Sequence, residues 1–538
     1  MSVQCHYCNY LPHHEYLCDP TGPGVCQPCK RLAEIEEQVK SIRRMLVGLE
    51  NERQTLKTQV NRHHDRLIHR LPREIVSEIF EFCLPEDLME AEFEGIPPKY
   101  SLSAPLVISA ICRTWRAIAL SAPRLWKTIT IWSRFLPSAI LVQNWIDRAG
   151  QLPLSIVLRL PFGEDETAIP IINTLTRYSK RWQELRCRMP AHLFSHFPTG
   201  IEDLPELRTL HLNNLRGTLR NTPLNLHPPR LNIFSFSGTR LCELDFDWTY
   251  LTQLSMEVVT PAIFLEVLRR APALEKCTVQ TFFIPEDESD DEFDAAFPPL
   301  PNPFVHSTLQ ELSIPADLCN CVFKQLQCPS LSALNLNPDC FAIGFDMPLV
   351  LEFLEKSRCS LERLSIMADS IPLSVSDITL ICKRTQTLRD LSIRLITDDD
   401  AVVSVLRDIL SQFSNIDGTV ESLYLPALRS LSIKHDWDAS DIYWMIPDIF
   451  GFYTLPECPS EYLYHRHALK TVTIIEEHEE TEVDGALLSE IELEEITLKK
   501  TLWLRKAGVN LMFQVGEVDL IELTQDSPFG TSLLSTML

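Results

Sequence analysis

Glycine is scarce in this chain. Only 16 of its 538 residues are glycine, and no glycine-rich turn follows a strand-like run. A fold that cradles a dinucleotide or a nucleoside triphosphate needs such a turn, so that chemistry is not expected. No apolar run reaches membrane-spanning length, and no leader pattern opens the chain. There is no Gly-x-Ser-x-Gly elbow, no His-Glu-x-x-His pair and no phosphate-cradling loop. Positive charge is short: 49 basic residues face 73 acidic ones, for a net charge of −24. A general surface for nucleic acid or anionic membrane is therefore not expected. Much of the excess acid lies in two runs, 286–294 and 476–484, read as solvated loops. The 17 cysteines are an odd number scattered mostly through apolar segments. They point to free thiols in a reducing compartment, cytoplasmic and/or nuclear. Without a catalytic constellation, the expectation is a protein that is not an enzyme.

Residues 1–30 are rich in cysteine: Cys5-x2-Cys8, Cys18 and Cys26-x2-Cys29, with His6, His13 and His14 nearby. Two Cys-x2-Cys knuckles 17 residues apart suit one structural zinc. The expected ligands are Cys5, Cys8, Cys26 and Cys29, with Cys18 or a histidine as substitutes. So short a segment buries no core, and metal would supply its folding energy. The competing reading is a tail whose cysteines are incidental.

Residues 31–69 read as a coiled coil. Leu32, Ile35, Val39, Ile42, Leu46, Leu49, Leu56 and Val60 follow alternating steps of three and four. Arg53 and His63 fill the gaps in register, and Leu67 closes the seam. Self-association as a homodimer through 32–67 is expected, with Arg53 and His63 weakening the pair and setting its register. The alternative is a long helix packed on the protein's own body.

Residues 70–128 carry two amphipathic helical patterns. Pro72 opens the first, Glu74 suits its positive end, and Ile75, Ile79, Phe82 and Cys83 share a face. In the second, Val107, Ile108, Ile111, Cys112, Trp115, Ile118 and Ala119 form a wide apolar stripe. Two such helices cannot bury so much apolar surface against each other alone, and they need a third helix or a partner. The wording is specific: Leu71-Pro72-x-Glu74-Ile75, Ile79-Phe80, Ile111-Cys112-Arg113-x-Trp115-Arg116 and Ser121-Ala122-Pro123-x-Leu125-Trp126. It resembles the F-box of proteins abundant in higher fungi, with an acid-rich insertion at 86–104.

From 129 to 538 one phrase recurs. Leu207-x2-Leu210-x-Leu212 returns at Leu231, Leu274, Leu309, Leu331, Leu361, Leu388, Leu428 and Leu469, and Trp182-x2-Leu185-x-Cys187 looks like an early copy. This is the strand half of a leucine-rich repeat. Helical patterns at 262–270, 349–356, 375–383 and 401–412 would form the other side. The steps run from 22 to 43 residues, with long insertions after Phe283 and Trp437. Asp339 and Asp369 stand roughly where the usual asparagine would pin the turn. The expected class is α/β: an N-terminal coiled-coil helix and a helical F-box, then an irregular leucine-rich-repeat solenoid. A layered α/β sheet with crossover helices shares the alternation but not the phrase.

The resemblance implies a substrate-recognition adaptor of an SCF-type, cullin-based ubiquitin ligase. Leu71, Pro72, Ile75, Ile79, Ile108, Cys112 and Trp115 would dock onto the small Skp-family adaptor, several also serving the core. The solenoid would hold an unidentified protein target. Its candidate contacts are the small polar residues between inward-facing pairs: Asn335, Ser365, Ser392, Ser432 and Thr473. Such residues equally suit a sheet face that binds nothing. The acidity of the chain favours a basic target. The alternative function is a coiled-coil-dimerised repeat scaffold not linked to ubiquitination. A zinc-dependent nucleic-acid binder fits the cysteines but not the charge.

Overall fold

The computed structural model describes residues 27–64, 71–84, 104–132, 136–160, 165–197, 204–214, 228–237, 247–282, 304–315, 322–337, 347–368, 375–395, 410, 425–435, 443, 445–450, 468–476, 493, 495–515 and 518–522. The chain divides into two compact units, one of helices ending at Trp126 and one built on a sheet starting at Lys127. Among the described residues, eleven α-helices and one large, mostly parallel sheet make the class mixed α/β.

The first unit opens with a 38-residue helix, Gln27–His64. It starts ahead of the expected coil and takes in Cys29. Leu32, Ile35, Val39, Ile42, Leu46, Leu49, Leu56 and Val60 are each at least 40% exposed. The alternative of a seam packed on the protein's own body is therefore not what the described residues show.

The Arg73–Phe82 helix starts at Pro72, whose carbonyl accepts the Val76 N–H at 3.1 Å. Pro72 has no N–H to leave unpaired there. Its buried side chains are Val76 and Phe80, not the expected Ile75, Ile79, Phe82 and Cys83. The face is turned because the Phe80 ring packs on the Trp115 indole, centroids 4.7 Å apart.

The expected second helix is two helices, Ala104–Ile111 and Arg113–Leu120. Cys112 is extended between them, and its Sγ accepts the Trp115 N–H at 3.4 Å. Arg116 Nε closes the corner on the Ser109 carbonyl at 2.8 Å. The break divides the wide stripe. Ile108 and Ile118 both turn inward, while Val107 and Ile111 turn out. The Trp126 indole N–H meets the Ala119 carbonyl at 2.7 Å, so this buried donor is satisfied.

The second unit contains β1 (Thr128–Trp132), β2 (Leu154–Arg159), β3 (Trp182–Met189), β4 (Thr209–Asn214), β5 (Ile233–Ser237) and β6 (Gln253–Val259). Then follow β7 (Lys276–Phe282), β8 (Phe304–Val305), β9 (Glu311–Pro315), β10 (Leu326–Gln327), β11 (Ala333–Asn337) and β12 (Arg363–Ala368). The last are β13 (Asp390–Leu395), β14 (Ser430–His435), β15 (Thr471–Glu476), β16 (Asn510–Val515) and β17 (Val518–Asp519). Among the described residues, fifteen strands make one sheet in chain order, with β8 and β10 paired separately. All neighbours in the large sheet are parallel except β16 and β17.

The recurring phrase is the core of this sheet. Every one of its apolar residues, from Trp182, Leu185 and Cys187 to Leu469, Val472 and Ile474, is at most 3% exposed. The second apolar residue of each copy meets its counterpart in register, as in Leu334–Leu364–Leu391–Leu431–Val472. From β4 to β15, one carbonyl ahead of the strand fixes that register. The Asn232 oxygen accepts the N–H groups of both Thr252 and Gln253, at 2.9 and 3.0 Å. The same fork recurs at Thr252, Glu275, Gln310, Ser332, Glu362, Arg389 and Arg429. A carbonyl has two lone pairs, and each of these steps uses both.

Three of the four expected helices are present, as Pro261–Arg270, Met347–Ser357 and Val375–Arg384. Thr260 caps the first, its Oγ1 accepting the Ile263 N–H at 3.4 Å, and Pro261 occupies the first turn. Of the fourth only Leu410 is described, and Asp339, Asp369, Phe283 and Trp437 lie outside the described residues. The helices Ala139–Arg148 and Asp165–Thr176 were not anticipated. Glu476, expected on a solvated loop, is instead buried at the end of β15 opposite His435. It continues the inward alternation of Val472 and Ile474, which carries it under the sheet.

Candidate functional site

Parallel pairing brings residues from distant parts of the chain into rows. Asn335, Ser365, Ser392, Ser432 and Thr473 fall opposite one another on five adjacent strands. All five are half-buried on one face, about 4.8 Å from strand to strand. The row extends the other way through Ser313, Thr278, Ser255, Ser235 and His211 to Arg186. Its middle is small hydroxyl side chains, and its first-strand end is basic. A second row on the same face begins with Arg159, Arg188 and Asn213.

The basic end of these rows borders an open depression of about 560 Å³. Arg186, Arg188, His211, Ser235, Ser255 and Glu257 contribute to its lining. Each basic group owes its position to the β3 and β4 phrases. Leu185, Cys187 and Met189 point into the core, so Arg186 and Arg188 point out between them. Leu210 and Leu212 do the same for His211. Arg186 Nε is held by Glu184 Oε1 at 2.9 Å. Lys276, across the depression, is held by Glu311 at 2.9 Å. Arg188 differs: its Nε is buried and has no hydrogen-bond partner.

Electrostatics reflect the crowding of positive charge. Burial and then the Arg186 guanidinium pull His211 down to about 3, so its imidazole is neutral at ordinary pH. Burial first, then Arg188, lowers Arg159. The Cys187 thiol beneath is pushed well up by burial, which makes it an inert core group.

The helical unit presents a different surface. Ile75 is 42% exposed, Phe82 80%, Val107 47% and Ile111 54%. Ile75, Ile79 and Phe82 stand at helical spacing on one face, as do Val107 and Ile111. Of the seven residues expected to dock an adaptor, Ile75 and Pro72 are exposed, and Leu71 and Ile79 are half-buried. The other three also serve the unit's own structure. Ile108 is buried in the core, Cys112 caps the Arg113–Leu120 helix, and Trp115 packs on Phe80.

Cys5, Cys8 and Cys26 lie outside the described residues, and Cys29 is placed only as backbone in the first turn of Gln27–His64. Among the described residues no group of three or more His, Cys, Asp or Glu could hold a metal ion. Seven cysteines there are free thiols. No described helix is long and apolar enough to cross a membrane.

Arg186, Arg188 and His211 were not among the residues expected at the site. The rule that selected Asn335 and Ser365 also selects Arg186 and His211, which stand between inward-facing residues of the phrase, while Arg188 follows the phrase by one residue. A scan of the chain against models of known protein families gives no match. A search of the curated proteins gives none either.

Proposed function

We propose that the chain is a substrate-recognition adaptor of an SCF-type ubiquitin ligase. One observation carries this reading. The helical unit fills its core with Val76, Phe80, Ile108, Ile118 and Trp126, yet leaves Ile75, Phe82, Val107 and Ile111 in water. Apolar stripes left over after a core is complete are interaction surfaces. On the F-box resemblance, the occupant is the Skp-family adaptor, which links to the cullin. The contact set is Leu71, Pro72, Ile75 and Ile79, joined by Phe82, Val107 and Ile111. The sheet unit is read as an irregular leucine-rich-repeat solenoid. A target protein lies along its polar row, where small hydroxyl residues admit a close-approaching backbone. The chain performs no chemistry of its own; it raises the local concentration of the target at the ligase.

The test is a pull-down with purified Skp-family adaptor. Wild type should retain it, and Ile75→Asp/Phe82→Asp should lose it with an unchanged circular dichroism spectrum. Failure of the wild type to retain the adaptor would overturn the reading.

A coiled-coil-dimerised scaffold is the second reading, and a groove on the long helix favours it. Leu49, Glu52, Arg53, Leu56, Lys57 and Val60 line a groove of about 400 Å³. In a parallel, in-register pair these form two successive holes of a knobs-into-holes seam. Leu49, Glu52, Arg53 and Leu56 receive Arg53 of a second copy. Arg53, Leu56, Lys57 and Val60 receive its Leu56. Glu52 thus offers a carboxylate to the one charged residue in mid-seam. Across the seam Arg31 meets Glu36 and Glu52 meets Lys57, and no like charges oppose at these flanking positions. Just before this coil, Cys5, Cys8, Cys26 and Cys29 would hold one structural zinc, four thiolates being a donor set that suits it. Disulfide trapping of Leu32→Cys and Leu56→Cys variants reports the orientation. Like-with-like crosslinks in both support the parallel pair, and a strict monomer at micromolar concentration removes it.

A further inference from the structure

We propose that the depression beside β3 and β4 is an anion subsite, which takes a carboxylate or phosphate carried by an extended acidic peptide, with Arg188 as its main donor. This rests on the reading of the sheet face as the target-binding surface, and it names the chemistry of the target.

Three observations converge there. The Arg188 Nε–H is buried without an acceptor. A guanidinium presents five donors in a rigid fork matched to a carboxylate or phosphate, so an N–H without an acceptor on its edge favours such an oxygen. Arg188 also stands directly opposite Arg159 in register, and after burial it is Arg188 that disfavours the Arg159 charge. An anion between or beside them relieves that repulsion. Finally, the other cations in the depression already have their carboxylates. Glu184 holds Arg186 and Glu311 holds Lys276. The acceptor still missing is on the Arg188 side.

The surroundings say what carries the anion. The depression is open and about 560 Å³, which admits a side chain and its backbone rather than an isolated small ion. From Arg186 and His211 the row of Ser235, Ser255 and Thr278 runs across successive strands. Hydroxyls both donate and accept, so this row can hydrogen-bond a peptide backbone laid across the sheet. Glu257 lies on the same lining and repels a second acidic group placed toward β6. One well-placed anion is thus preferred over a uniformly acidic chain. The net charge of −24 acts in the same direction, because it repels polyanions that do not reach the arginines. The expectation of a basic target, drawn from net charge alone, is reversed at this place.

Fluorescence anisotropy with the purified full chain tests the proposal. Three labelled decapeptides serve as probes: one with a glutamate pair in a Ser/Gly background, one with a phosphoserine there, and one with a lysine pair. The glutamate or the phosphoserine peptide should bind saturably and weaken with added salt. Preference between them assigns the anion as carboxylate or phosphate. Arg188→Gln should weaken binding about tenfold. Arg188→Lys, which keeps the charge but loses the fork, should fall between. Lys434→Gln, a cation far along the same face, should stay within twofold of wild type. Matching thermal melts exclude misfolding as the cause. No saturable binding of either anionic peptide, tighter binding of the lysine peptide, or an Arg188→Gln variant equal to wild type would each overturn the subsite. Adaptor capture without peptide binding sinks this inference alone, and peptide binding without adaptor capture sinks the ligase reading alone.

Discussion

Phe80 and Trp115 meet with ring centroids 4.7 Å apart and planes tilted by 40°. They come from different helices, and their contact decides which face of Arg73–Phe82 is inside. Trp115 is also held at its backbone by Cys112. Trp115→Ala should destabilise the helical unit by about 2 kcal/mol, because the indole is only half-buried. Trp115→Phe should keep most of the stability. Urea unfolding of the full chain, followed by tryptophan fluorescence and circular dichroism, reads both.

Exposed and buried apolar residues of this unit should respond in opposite ways. Phe82→Asp should change stability by less than about 0.5 kcal/mol, since its ring is in water, while reducing adaptor capture at least tenfold. Ile108→Asp should instead unfold the unit, because it places an unpaired carboxylate in the core. Thermal melts beside the pull-down separate the two.

The coil should become more stable when its seam is made apolar. Arg53→Leu should lower the dissociation constant of the dimer, and Glu52→Lys should raise it by opposing Arg53 and Lys57. Sedimentation equilibrium at several concentrations measures both.

His211 makes stability depend on acid. Its folded value of about 3 lies below the ordinary 6.5, so the unfolded chain binds the proton more readily. Its contribution is therefore present above about 6.5 and is lost as pH falls from there toward 3. Arg186, Arg188 and Glu257 share its depression. His211→Gln should flatten the stability profile between pH 6.5 and 4, read as urea midpoints at each pH.

Zinc is checked by stoichiometry. Wild type should carry about one zinc per chain by atomic emission, and Cys26→Ser/Cys29→Ser should carry none. An unchanged zinc content in the double variant would remove the site.

Much of the sheet was legible because its signal is local. The Leu-x2-Leu-x-Leu phrase marks strands by alternation, and the copies from β3 to β15 that it named are strands with buried apolar residues. Two copies were overlooked although their signal was present: Trp126-x2-Ile129-x-Ile131 leads into β1, and Leu251-x2-Leu254-x-Met256 into β6. The helical pair was less legible. Helical spacing offers several apolar faces to choose from, and the break at Cys112 leaves no proline or glycine to announce it.

By itself the sequence determined the strand phrase, the long seam of Leu32 to Val60, and the small polar residues that face outward from the sheet. These follow from periodicities of two and three-and-a-half that any chain of this wording must obey. Only the tertiary structure decided that Val76 and Phe80, not Ile75 and Phe82, are inside. It alone set Arg188 opposite Arg159 on the same face as His211. Both outcomes depend on pairings between segments far apart in the chain, and local spacing carries no record of which segment becomes the neighbour.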